Sequence, residues 1–64
     1  MVQLTPERID TLIRRMEHYH TENEKMRQHV LEKPELHANA LEYSQMWLDI
    51  KTALEIAKEA IEAP

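Results

Sequence analysis

Apolar residues recur along this chain in steps of three and four, in two runs that meet at Glu32-Lys33-Pro34. In the first run the repeating positions are Ile9, Leu12, Met16, Tyr19, Asn23, Met26 and Val30. That spacing puts them on one stripe of an α-helix, in the a/d pattern of a coiled-coil seam. The second run follows with Leu36, Ala40, Tyr43, Trp47, Ile50, Leu54, Ala57 and Ile61. Pro34 has no amide to donate, would clash with the preceding turn, and drives Lys33 out of helical geometry, so the chain must turn near residues 32–34. The pattern predicts helices over about 6–32 and 34–62, each roughly 40 Å long at 1.5 Å per residue. Equal lengths and a short connector favour an antiparallel hairpin. The rival arrangement is a single kinked helix whose seam continues into a partner chain.

The start of the first helix is legible. Thr5 can cap the orphan amides, Pro6 suits the first helical position, and Glu7 lies against the positive helix end. Leu4 and Ile9 occupy the two positions of a hydrophobic staple, while Arg8 stands where a capping box would need Glu or Gln. Folding about the turn pairs residues whose numbers sum to about 67, since both helices rise equally per residue. Leu12 then meets Leu54, Met16 meets Ile50, Tyr19 meets Trp47 or Leu48, and Met26 meets Leu41 or Ala40. Asn23 falls near Tyr43 and Ser44, which can satisfy its amide.

The flanks of the two seams differ. Ile13, His20 and Arg27 lie on one side of the first seam and Arg8, Arg15, Glu22 and His29 on the other, a narrow stripe edged by charge that one neighbouring helix should close. Beside the second seam, Met46, Ala53, Ile56 and Ala60 widen the apolar arc, and Leu41 and Leu48 add a pair on the opposite side. One helix cannot cover that arc, and an uncovered patch of this kind is rare on monomers. The expected assembly is therefore all-α: a single hairpin domain over residues 1–64 forming a homodimeric four-helix bundle or a higher closed oligomer, with Leu41, Met46, Leu48, Ala53, Ile56 and Ala60 at the interface.

Composition supports this expectation. At 64 residues, a chain buries only about 60% of its unfolded surface, and a lone hairpin would bury less. Small scaffolds gain stability from disulfides, a metal or oligomerisation. The absence of cysteine closes the first route and fits a reducing, cytoplasmic setting. Met1-Val2-Gln3-Leu4 lacks the basic start and apolar core of a signal peptide, and no run approaches the roughly 20 apolar residues of a membrane span. The net charge of −4 argues against a nonspecific nucleic-acid binder. The charge is uneven: residues 1–31 carry five acids and five bases, residues 32–64 seven acids and three bases.

Candidate chemistry is sparse. Glu17-x-x-His20 and His18 with Glu22 have helical spacing that can put two metal ligands on one face, but Glu17 and His18 fall on outer positions and no second Glu-x-x-His exists. No metal site or cofactor is expected. Ser44 is the only serine, and without glycine there is no phosphate loop or oxyanion turn, so no enzyme is expected. More telling is the outer side of the first helix. There Arg8, Arg14, Arg15, His18 and Lys25 project on adjacent columns, while Asp10, Glu17 and Glu24 keep to another edge. Such a face is either a solvated surface with local ion pairs, such as Asp10 to Arg14, or an anion site completed by a neighbour's aromatic groups. Tyr43 and Trp47 belong to the seam, and if part-buried at a subunit junction they can stack a nucleobase.

The stretch Leu41-Glu42-Tyr43-Ser44-Gln45-Met46-Trp47 resembles the Leu-Glu-x-small-x-Met-Trp run of helical-hairpin phage sponges that sequester cyclic-nucleotide immune signals. It covers seven of the 64 residues, and Leu48-Asp49-Ile50-Lys51-Thr52 then departs from that family's alanine-rich end. No binding residue transfers. The resemblance implies a phage-encoded, oligomeric, non-catalytic binder whose basic and aromatic side chains hold a phosphate-bearing ring between subunits. A different class is a small inhibitor or regulator of a host protein, engaged through the acidic surface of Glu35, Glu42, Asp49, Glu55, Glu59 and Glu62. A third, an RNA-binding helical-hairpin dimer, rests on size and topology alone.

Overall fold

The computed structural model describes residues 4–63 and contains two helices, α1 (Pro6–His29) and α2 (Pro34–Glu62). They pack against each other as an antiparallel hairpin with extents of 50 × 20 × 14 Å. The kinked continuous helix is therefore excluded. Met1, Val2 and Gln3, which carry most of the segment compared with a signal peptide, lie outside the described residues, as does Pro64. Among the described residues, no helix is long and apolar enough to cross a membrane.

Local chemistry sets the helix ends. Thr5 is extended (φ −100°, ψ 159°), and its Oγ1 accepts the Arg8 amide at 3.2 Å, with Pro6 and Glu7 following in the first turn. Ile9, the inner residue of the staple, is fully buried, although Leu4 stays half-exposed. α1 stops at His29, three residues before the expected end. Lys33 must be extended ahead of Pro34 (φ −114°, ψ 91°), so the chain has to leave the helix earlier. Val30 donates to the Arg27 carbonyl at 3.2 Å and Lys33 to the Val30 carbonyl at 3.0 Å, closing a tight turn.

The packing departs from the expected seam in one respect. α2 presents Ala40, Ser44, Trp47, Lys51, Leu54 and Lys58 toward α1, all buried or half-buried. Tyr43 and Ile50, expected in the seam, are instead 53% and 37% exposed, while Ser44 is only 4% exposed. α2 is thus rotated toward the line 44–51–58. The cause is polar: α1 carries Asn23, Asp10, Glu17 and Glu24, which need Ser44 and the two lysines as partners, whereas Tyr43 and Ile50 can offer them none. As a consequence the first seam is not closed by its own hairpin partner, since Tyr19 and Met26 remain 43% and 49% exposed. The pairing register itself follows the expected sum of about 67, as Asn23–Ser44 contact and Tyr19–Trp47 stacking show.

Candidate functional site

Three polar rungs cross one broad face of the hairpin at seven-residue intervals. Lys58 Nζ lies 2.8 Å from Asp10 Oδ1, Lys51 Nζ lies 3.4 Å from Glu17 Oε1, and Ser44 Oγ donates to Glu24 Oε1 at 2.6 Å. Heptad spacing on both helices makes the three rungs recur on the same side. Asp10 is therefore paired across the hairpin rather than with Arg14, the local pair expected from sequence. The Asp10 carboxylate also pushes the Lys58 ammonium above the usual lysine range by hydrogen bonding to its charged form.

The third rung opens into a small polar hub. Asn23 Nδ2 donates to the Ala40 carbonyl at 2.7 Å and to Ser44 Oγ at 2.8 Å. Ser44 Oγ in turn donates a hydrogen bond to Glu24, which also accepts one from Nε–H of Arg27 at 2.9 Å and lies 3.7 Å from His20 Nε2. The hydrogen bond from Ser44, then that from Arg27, holds the Glu24 carboxyl below the usual glutamate range. Arg27 Nη1 is 3.3 Å from His37 Nε2, so the hub ties the turn-proximal parts of both helices together. Among the described residues, every buried side-chain polar atom has a hydrogen-bond partner, and no group of three or more His, Asp and Glu is placed to hold a metal ion.

The opposite broad face is different in kind. Flanking the seam there, α1 contributes Leu12, Tyr19 and Met26, and α2 contributes Tyr43, Ile50 and Ala57, again in steps of seven. Tyr19 joins the two halves by stacking on Trp47, with centroids 5.1 Å apart and planes tilted by 42°. Farther out on α2, a shallow open groove is lined by Glu42, Gln45, Met46, Asp49, Ile50 and Ala53. On α1, Arg8 and Arg15 border a small depression with Thr11 and Leu12. The face is thus apolar at its centre, cationic along the α1 edge and anionic along the α2 edge.

The residues singled out from sequence distribute over these surfaces unevenly. Arg8, Arg14, Arg15, His18 and Lys25 are all exposed on α1. Lys25 is held by Glu22 at 3.2 Å, Arg14 Nη2 donates to Thr11 Oγ1 at 3.4 Å, and His18 lies beside Tyr19 with centroids 6.0 Å apart. Among the described residues, no carboxylate lies within ion-pair distance of Arg8, Arg14 or Arg15. Trp47 is part-buried under Tyr19, whereas Tyr43 points away from the seam. Met46 and Ala53 belong to the apolar face, with Ala60 and Ile56 continuing it toward the outer side of α2. Leu41 and Leu48 lie on the ladder side, in a groove with His20, Glu24 and Ser44, so the proposed interface residues do not form one surface. The expected approach of Asn23 to Ser44 is present in the hub, whereas the links through Glu24 and the ladder were not foreseen. The signal was present in the matched heptad spacings 10–17–24 and 44–51–58. No protein-family model, no curated protein and no solved structure matches the chain.

Proposed function

We propose that this protein acts by binding rather than catalysis, as a self-associating helical module that inhibits or regulates a host protein in the manner of small phage and mobile-element regulators. The observation that carries this reading is the apolar face of Tyr19, Met26, Tyr43, Met46 and Ile50, which the hairpin leaves exposed beside the half-buried Leu12. A chain with so little buried apolar surface gains stability by covering that face with a second protein surface. The acidic outer edge of α2, with Glu42 and Asp49, supplies a surface for a basic partner. Light scattering coupled to size exclusion tests the self-association, with a mass equal to an integer multiple of one chain expected at micromolar concentration. A monomer at every concentration would overturn the reading.

A second reading has an observation of its own. Among the described residues, Arg8 and Arg15 have no carboxylate partner, and Arg15 lies one helical turn before the half-exposed Tyr19, a cation near an aromatic ring of the kind that takes a phosphate-bearing nucleobase. On this reading the assembly sequesters a cyclic nucleotide between subunits. Micromolar cyclic nucleotide should then raise the melting temperature, because binding only the folded state adds RT ln(1 + [L]/Kd). No shift across a representative panel excludes it.

A further inference from the structure

Building on the self-association proposed above, we infer that the apolar face is covered by a second copy of this chain, related by a two-fold axis running along the helices. α1 of each copy then lies antiparallel across α2 of the other, and Arg15 pairs with Asp49 of the partner subunit.

Two observations, one for the occupant and one for the orientation, carry this arrangement. The first is area. The broad face has an outline of about 1,000 Å², from extents of 50 Å by 20 Å, against the roughly 800 Å² per partner of a stable interface.

The second is charge. Arg8 and Arg15 edge this face on α1, and Glu42 and Asp49 edge it on α2. With the two-fold along the helices, the second copy keeps the heights of the first. The rung positions, whose numbers sum to 68, put Asp49 of the partner subunit level with residue 19, about one helical turn from Arg15 and within reach of its side chain. A two-fold perpendicular to the helices would instead bring Asp49 near its own copy, where like charges repel. The same register brings Glu42 of the partner subunit beside Glu22, the one acid on the α1 edge, whose charge Lys25 already offsets at 3.2 Å.

Reciprocal charge exchange tests the pairing. Arg15→Glu and Asp49→Arg should each raise the dimer dissociation constant about tenfold or more by light scattering and sedimentation. The double variant should return it to within about threefold of the wild type. Both residues are exposed, and circular dichroism confirms that each variant is folded. Ala53→Arg, placed centrally on the face, should give a folded monomer. A double variant as weak as the singles overturns the pairing. An Ala53→Arg protein that still dimerises, or a wild-type mass above two copies, overturns the closed two-fold arrangement while leaving self-association intact. A wild-type monomer removes the underlying reading itself.

Discussion

Removing the Asn23 amide should loosen the hairpin at a polar contact that does not repeat with the ladder. Asn23 Nδ2 reaches the Ala40 carbonyl at 2.7 Å and Ser44 Oγ at 2.8 Å, and both Ala40 and Ser44 are buried. A net contribution of about 0.5–1.5 kcal/mol per hydrogen bond gives about 1–3 kcal/mol for Asn23→Ala. Ser44→Ala removes the acceptor of one of those bonds and the donor of the bond to Glu24, a loss of about 1–3 kcal/mol for two bonds at the ordinary value, since Glu24 is part-exposed. Because the two share one hydrogen bond, the double variant should lose less than the sum, with a coupling of about 0.5–1.5 kcal/mol. The assay is urea unfolding of all four proteins at one fixed concentration, since self-association makes apparent stability depend on it. A domain of this size shifts its Tm by roughly 4–8 °C per kcal/mol, so thermal melts provide a second reading. Additivity within about 0.3 kcal/mol would refute the shared bond and the rotation of α2 that it explains.

Three further outcomes follow from the same geometry. Glu24 has a lowered pKa, so its contribution is present above the ordinary glutamate value of 4.5 and is lost as pH falls through its folded-state value; acid titration of Glu24→Gln should show a flatter decline below pH 4.5 than the wild type, and parallel curves would contradict the hub. Trp47→Ala should cost roughly 2 kcal/mol, below the about 3–5 kcal/mol of a fully buried aromatic because the indole is only part-covered; an unchanged denaturation midpoint would place it outside the packing. Exchanging the charges of Glu17 and Lys51 should leave stability within about 1 kcal/mol of wild type while either single reversal is less stable than the exchange; equal stability of all three would mean that this rung does not form.

Much of the fold was readable because helix periodicity and proline chemistry act locally. The stripe from Ile9 to Val30, the Thr5 cap and the break before Pro34 each depend on residues within a turn or two. The facing of α2 did not. Hydrophobicity alone placed Tyr43 and Ile50 in the seam, but facing is decided between helices, where the carboxylates of α1 favour Ser44, Lys51 and Lys58. The same competition explains why Asp10 pairs with Lys58 rather than Arg14: the lysine arrives from the other helix, at a position that local spacing cannot rank. Of the candidate site, the exposed cations of α1 and the surplus apolar arc of α2 were legible. So was the placement of Leu41 and Leu48 on the side of α2 opposite Met46 and Ala53, which helix geometry alone fixes; that this side carries the ladder was not, because that depends on the rotation of α2.

The ladder has one further consequence, for how the two helices choose their alignment. Its acids and its partners both recur every seven residues, so sliding one helix by a heptad would again match acids with lysines: Glu17 with Lys58, and Glu24 with Lys51. Periodic ion pairs define a phase but cannot count. The turn before Pro34 and the contact of Asn23 with Ala40 and Ser44 have no equivalent seven residues away, and they select one alignment from the set the charges allow. A hairpin stripped of that asparagine would keep its electrostatic comb while losing the tooth that tells it where to close.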